Sequence, residues 1–414
     1  MYRKIQNFLI EWKYSPNRKP LILQGARQVG KTYSVLEFGR ANYENVVHFN
    51  FETEPGLLSR ISHQAIVPSN TLVFFDEIQV CEEALASLKC FCEKMPNAHI
   101  IVASSLLGVA LNKKDFSFPV SKVDIKTMYP MDMEEFLLAH GEQDLAEAIK
   151  KSFESNTVMP PLLHKIAMEY YRKYLMIGGM PECVEKYIGT KNLILIRHLQ
   201  KSILTAYLND MSKYNLDNEI QKTRLAYNNI AVQLSKSKTK FQYKQIKKEV
   251  RASEFENAIE WLNLSGMASV VFKVDNIMEP LENYKSDAFK IYVSDIGLLC
   301  AKKNIMPENI LYDTHELDDF KGGLVENFVE FHLRANGLEA YYWESEREAE
   351  MDFVIRRNEY IIPVEVKSSD NTKSKKLSVY MQKFKPEYAI KLSTKNFGFE
   401  NNIKTVPLYA AFCL

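Results

Sequence analysis

One octapeptide constrains this chain more than any other feature. Gly25-Ala26-Arg27-Gln28-Val29-Gly30-Lys31-Thr32 is a full match to G-x-x-x-x-G-K-[ST]. It follows the apolar run Leu21–Leu23 and opens the amphipathic segment Thr32–Phe38. A strand, a glycine turn and a helix N-terminus in this order aim backbone N–H groups at one point, which suits a phosphate. Gly25 and Gly30 allow backbone conformations and close approach that a Cβ would block. Lys31 supplies the point charge for β- and γ-phosphates, and the Thr32 hydroxyl is an oxygen ligand for Mg²⁺. ATP and Mg²⁺ are therefore the expected cofactors, with residues 25–32 as the cradle.

The surrounding pattern fits that reading. Between Pro20 and about Met133, short apolar runs alternate with helical stretches: Leu21–Leu23, Val46–Phe51, Leu72–Phe75, Ile100–Ala103 and Val123–Met128. Such runs predict a parallel sheet covered on both faces. Leu72–Phe75 ends in Asp76-Glu77. Acids at the C-terminal end of a buried parallel strand stand where ligands bind in such sheets. Asp76 is expected in the Mg²⁺ shell and Glu77 beside the attacking water; the bland alternative is a cap for the next helix. Ile100–Ala103 ends in Ser104-Ser105, from which a hydroxyl can reach the γ-phosphate.

The words LILQGARQVGKT, LVFFDEIQ, IIVASSLLGVAL and SFPVSKVDIKTMYPMDMEEFL, in this order, resemble the N-terminal module of a prokaryotic AAA+-type ATPase family. YLMIGGMPE, AYLNDMSKY and FKIYVSDIGLL resemble that family's second part, whose function is poorly defined, so the resemblance spans essentially the whole chain. It implies that Ser105 is the sensor residue. Many relatives carry Gly where this chain has Ser104, and some carry Arg where it has Lys122. Lysine lacks the planar bidentate contact of an arginine finger.

The fold class expected is α/β. A P-loop core of the AAA+ type spans 1–138, a helical lid 139–228, a winged-helix-like segment 229–278, and a nuclease-like α/β domain 279–414. Residues 134–225 read as helical, broken at Pro160-Pro161 and Gly178-Gly179-Met180-Pro181, and helices at that second break are expected to move with nucleotide. Residues 233–251 hold seven Lys/Arg against one acid, with Phe241 and Tyr243 interleaved. Ser253 and Glu256 fit a capping box ahead of the stripe Ala258, Ile259, Trp261, Leu262 and Leu264, and the β-branched run Ala268–Val274 follows. This outline suits either DNA contact through Lys244, Lys247 and Lys248 or docking onto protein.

In the C-terminal block, Glu326 lies on an apolar-periodic helix, and Met351–Ile355 with Tyr360–Val366 reads as a hairpin around Arg356–Glu359. Pairing Ile355 with Tyr360 sets Asp352 opposite Pro363 and puts Asp352, Glu365 and Lys367 on one face. Glu, then Asp, then Glu-x-Lys resembles the PD-(D/E)xK nuclease superfamily. By that resemblance Glu326, Asp352, Glu365 and Lys367 are catalytic, with Asp352 and Glu365 as metal ligands. The alternative is an inactive remnant, which leaves a nucleotide-dependent switch or scaffold.

Composition closes other routes. Lys plus Arg is 53 and Asp plus Glu is 52, a net charge of +1, so any nucleic-acid surface is local. No apolar run reaches the ~18 residues of a membrane span. The charged N-terminus lacks a signal-peptide core, and the six cysteines form no CxxC pair, so a cytoplasmic location with idle thiols is expected. The eight histidines form no HxH or HxxH pair. Candidate partners are nucleic acid and a second copy of the chain, with no membrane.

Overall fold

The structure is a computed structural model that describes residues 1–53, 70–111, 121–214, 217–236, 240–246, 251–311, 318–345, 349–369 and 375–414. The chain forms two compact units: Met1–Pro130 with Glu260–Met267, and Met131–Ile259 with Ala268–Leu414.

The first unit is built on a parallel sheet of β1 (Leu21–Gln24), β2 (Asn45–Asn50), β3 (Thr71–Asp76), β4 (His99–Ser104) and β5 (Asp124–Thr127). Their order is β2-β3-β4-β1-β5, and every pairing is parallel. The five apolar runs read from the sequence are these five strands. β3 and β4 are buried along their whole length, which is why they show no alternation. Helices Ile5–Tyr14, Lys31–Asn42, Glu82–Lys94 and Leu107–Leu111 accompany the sheet. Ile22, Val73, Phe75, Leu85, Leu88, Ile100 and Val102 form a core beneath the phosphate loop. With β4 between β3 and β1, the C-terminal ends of β1, β3 and β4 lie side by side, so residues 25–32, 76–77 and 104–105 converge.

The second unit opens with helices Met133–Ala139, Gln143–Ser155, Pro161–Ile177, Pro181–Thr190, Leu193–Tyr214 and Asp217–Gln233. The breaks fall where proline and glycine put them: one helix starts at Pro161, ends at Ile177, and the next starts at Pro181. Gly179 is a close approach and not a slack joint. A Cβ on it would lie 2.0 Å from the Met131 carbonyl oxygen, whose residue's N–H donates to the Gly179 carbonyl at 2.7 Å.

The remainder is an eight-stranded mixed sheet, order β12-β13-β11-β10-β9-β8-β6-β7. Its strands are β6 (Ala268–Val274), β7 (Lys285–Val293), β8 (Ala340–Glu344), β9 (Glu350–Arg357), β10 (Tyr360–Val366), β11 (Ala389–Ser393), β12 (Gly398–Glu400) and β13 (Ile403–Pro407). β6 and β7 pair antiparallel, so the sequence boundary drawn at 278/279 falls inside one hairpin. The helices here are Glu256–Leu264, Ile296–Lys302, Pro307–Leu311, Asp318–Ala335 and Lys375–Phe384, the first of which runs into the first unit at Glu260. Trp343, Met351, Val354, Leu377 and Tyr380 make a core here, and Tyr341, Tyr342 and Trp343 are buried residues of β8.

The β9–β10 register differs from the expected one. Tyr360 pairs with Arg357 and Val354 with Pro363, because Asn358, at φ 55°, turns the chain tightly. The shift is by two residues. An even shift preserves facing, so Asp352 stays on the face that carries Glu365.

Candidate functional site

In the phosphate loop, Gly25 sits at φ 151°, and a Cβ there would lie 2.1 Å from the Met128 carbonyl oxygen, so only glycine lets the loop pass β5. The Lys31 ammonium turns inward and donates to the carbonyls of Gly25 at 2.9 Å and Ala26 at 3.0 Å. Arg27 pairs with Glu52 at 3.3 Å, and Gln28 holds φ 68°. Val29 is buried, and its carbonyl accepts from Arg3 at 2.7 Å. The second arm of Arg3 reaches the Tyr129 carbonyl at 2.7 Å. This buried arginine ties the loop to the end of β5, and residues 1–13 read only as a helix gave no sign of it.

Thr32 at the start of its helix meets Asp76 at the end of β3: the hydroxyl donates to Asp76 Oδ2 at 2.9 Å. Two oxygens bound to adjacent corners of a Mg²⁺ octahedron stand about 2.9 Å apart, so this hard-oxygen pair fits the ion. His48 Nε2 lies 3.5 Å from the same carboxylate oxygen. The signal for His48 was register: β2 runs parallel to β3, with Asn50 opposite Asp76.

Glu77 leaves the strand at φ 52° and leads into the single 3₁₀ turn Ile78–Val80, which its side chain does not cap. Its Oε2 accepts from Ser105 Oγ at 2.7 Å and from Gln79 Nε2 at 2.6 Å, while the Gln79 Oε1 accepts from Ser104 Oγ at 2.7 Å. Ser104 and Ser105 thus both serve the acid, one directly and one through Gln79. Lys122 pairs with Glu93 at 3.1 Å, with both side chains substantially exposed.

The C-terminal carboxylates meet a partner absent from the sequence reading. Lys290 on β7 is fully buried and lies 3.4 Å from Glu326 Oε2 and 2.5 Å from Glu350 Oε1. The Tyr292 hydroxyl donates to Glu326 Oε2 at 3.2 Å. Asp352 is half-buried in this field, and its Oδ2 accepts from the Val366 N–H at 2.7 Å. Burial, then the charge of Glu326, push its carboxyl well above the ordinary range, against Lys290 and the Val366 N–H. Burial alone would lower the Lys290 pKa, but Glu326, Glu350 and Asp352 outweigh it and the net shift is upward. Lys290 is therefore an ammonium among carboxylates. The signal was period two: Lys290 and Tyr292 on one strand, Glu350 and Asp352 on another.

Glu365 and Lys367 form an ion pair. Lys367 Nζ lies 3.1 Å from Glu365 Oε1, and Lys391, across the β10–β11 ladder, lies 3.5 Å from Oε2. Among the described residues no group of three or more His, Cys, Asp or Glu could hold a metal ion. Lys367 and Lys391 thus flank Glu365, while Asp352, in the field of Lys290, accepts from the Val366 N–H.

The middle segment keeps the helix Glu256–Leu264 and the β6–β7 hairpin. Its interleaved aromatics are not presented for base stacking. Phe241 is buried, stacked on Phe289 with centroids 5.2 Å apart, and Tyr243 packs edge-on against it. Lys247 and Lys248 lie outside the described residues, and Lys244 falls in the short turn Tyr243–Gln245. Among the described residues no helix is long and apolar enough to cross a membrane.

Residues 17–137 match the model of an AAA domain. Residues 168–309 and 321–411 match two domains of unknown function, DUF8612 and DUF4143. No curated protein matches the chain. Among solved structures, the chain is similar to the Aeropyrum pernix ORC2 protein in its ADPNP–ADP complexes, with 13% identity, TM-score 0.40, and coverage of 75% of this chain and 92% of that one. Cdc6p from Pyrobaculum aerophilum gives 10% identity, TM-score 0.24, and coverage of 75% and 93%. The Aeropyrum pernix ORC1 protein in complex with DNA gives 10%, 0.26, and coverage of 73% and 91%. Residues 17–137 are thus a P-loop domain of the AAA ATPase type, and a DUF4143 domain follows at 321–411.

Proposed function

We propose that this protein is an ATP-hydrolysing switch of the AAA type whose C-terminal carboxylate cluster is an internal ion-pair network. The observation that carries the first half is the 2.9 Å contact of Thr32 with Asp76, beside a Glu77 held by Ser105. Bound ATP with Mg²⁺ would supply the phosphoryl group and the charge that stabilises its transfer. Lys31 would exchange the Gly25 and Ala26 carbonyls for β- and γ-phosphate oxygens. Thr32 and Asp76 would hold Mg²⁺, and the loop N–H groups of residues 25–32 would grip the phosphates. Glu77 would polarise the attacking water, and Ser105 would orient Glu77 toward it.

A second reading is metal-dependent cleavage of nucleic acid at Glu326, Asp352, Glu365 and Lys367. The convergence of Glu326 and Asp352 favours it. The Lys290 ammonium argues against it, because it already pairs with Glu326 and Glu350 and offsets part of the charge a metal would bind. On the first reading, nucleic acid is a candidate partner to bind and not a substrate.

One experiment separates the readings. Full-length protein is incubated with ATP, Mg²⁺ and single- or double-stranded DNA or RNA, and both phosphate release and strand cleavage are measured. Hydrolysis slowed at least ~100-fold by Glu77→Gln, the low end for a general base, with no cleavage of any strand, is the expected result. Mg²⁺-dependent cleavage abolished by Asp352→Asn would replace the switch with a nuclease, and wild-type turnover in Glu77→Gln would remove the ATPase assignment.

A further inference from the structure

Outside the phosphate loop, the most tightly specified polar arrangement in the first unit is the chain Ser104–Gln79–Glu77–Ser105. Ser104, the last residue of β4, is fully buried. Gln79 lies in the short turn Ile78–Val80 that follows β3. Its amide works in one orientation only. The nitrogen must face the Glu77 carboxylate, and the oxygen must take the Ser104 hydroxyl proton; a reversed amide would set oxygen against carboxylate oxygen. The Glu77 carboxylate, which can only accept, therefore decides which way Gln79 points, and the Ser104 hydroxyl holds the amide oxygen on the other side. Both donors to Glu77, Gln79 and Ser105, fall on Oε2. Among the described residues nothing donates to Oε1.

We infer that Gln79 and Ser104 are positioning residues that lock the Glu77 carboxylate by Oε2, so that Oε1 is the oxygen turned to the attacking water. The inference rests on the ATPase reading and deepens it. In the step it serves, Oε1 takes a proton from the water as the water oxygen bonds to the γ-phosphorus. The bond from that phosphorus to the β–γ bridging oxygen breaks, ADP leaves, and the glutamic acid then gives its proton back to solvent or phosphate. A carboxylate free to rotate would spend part of its time with neither oxygen aligned, and misplacement by about 1 Å can cost on the order of 100-fold in rate.

Single-turnover hydrolysis and equilibrium binding of a fluorescent ATP analogue test it in full-length protein. Gln79→Leu is expected to slow hydrolysis by about 10- to 100-fold with nucleotide affinity unchanged. Ser104→Ala is expected to slow it less, Ser104→Thr to retain the wild-type rate, and the double variant Gln79→Leu/Ser104→Ala to be no slower than Gln79→Leu. In a Glu77→Gln background, Gln79→Leu should change nothing further. An unchanged or faster rate in Gln79→Leu, additive losses in the double variant, or a matching loss of nucleotide affinity would each overturn the inference. If Gln79→Leu does not fold, the Ser104→Ala and Ser104→Thr pair decides it by the same criteria. A slow Glu77→Gln beside a wild-type Gln79→Leu removes this inference alone, whereas a wild-type Glu77→Gln removes the ATPase reading beneath it.

Discussion

The carboxylate of Asp295 accepts the Gly179 N–H at 2.6 Å across 116 positions of sequence, and its other oxygen accepts the Leu298 N–H at 2.8 Å. One buried acid thus caps the helix Ile296–Lys302 and pins the turn ahead of the helix at Pro181. The words YLMIGGMPE and FKIYVSDIGLL, far apart in the chain, meet at this bond. A Cβ on Gly178 would lie 2.3 Å from Asp295 Oδ1, so the glycine serves the contact. The turn between the helices is thus fastened to the start of the helix Ile296–Lys302.

Asp295 gives a pH-dependent prediction. Burial raises its carboxyl from 3.8 to about 6, against hydrogen bonds from Gly179, Leu298 and Gly297. A folded pKa above the unfolded one favours folding fully below the unfolded value and loses that contribution as pH rises through the folded one. Asp295→Ala should cost about 1–3 kcal/mol at pH 7 by leaving buried N–H groups unpaired. The gap to wild type should widen as pH falls from about 6 to 4, by on the order of 3 kcal/mol. Differential scanning calorimetry across that window checks it; a gap constant with pH would show that Asp295 titrates normally.

Lys290→Met should destabilise the second unit by about 3–5 kcal/mol at pH 8, the cost of removing one partner from a buried charge cluster. Asp352 is already raised by burial and by Glu326, and loss of the ammonium raises it further. The deficit should therefore shrink on acidification from pH 8 to 6 as that carboxyl takes a proton. Chemical denaturation at the two pH values measures it. A variant as stable as wild type at pH 8 would mean that Lys290 does not hold the cluster together.

Lys31→Ala should weaken nucleotide binding by about 100-fold, since a hydrogen bond to a charged group contributes about 1.5–3 kcal/mol and this ammonium can serve two phosphates. The fold should be unchanged, because Lys31 lies outside the apolar core formed around Ile22, Val73 and Val102. Fluorescence titration with an ATP analogue is the measurement, and unaltered affinity would sink the phosphate-loop assignment.

Thr32→Val keeps the shape of the side chain and removes the hydroxyl that meets Asp76. Hydrolysis should then need a higher Mg²⁺ concentration, with the midpoint shifted upward by about 10-fold, the effect of roughly 1.4 kcal/mol at one ligand. Stability should change by no more than about 1 kcal/mol, the net worth of one hydrogen bond. Turnover measured against Mg²⁺ concentration decides, and an unmoved midpoint would take Thr32 out of the metal shell.

Local chemistry made much of the chain legible. The strands β1 to β5 are short apolar runs, and glycine, lysine and threonine at fixed spacing define the phosphate loop, because a parallel strand buried on both faces and a turn that must approach phosphate each admit few residue types. Prolines and glycines marked the helix breaks for the same local reason. What joins distant segments was not legible. Lys290 among the C-terminal acids, Arg3 on the Val29 carbonyl, Gln79 between Ser104 and Glu77, and Asp295 on Gly179 are ordinary residues until packing brings their partners within 4 Å. A carboxylate reads the same in sequence whether a metal or an ammonium will face it. Only the tertiary structure decides which, because the choice depends on the charge that burial places beside it.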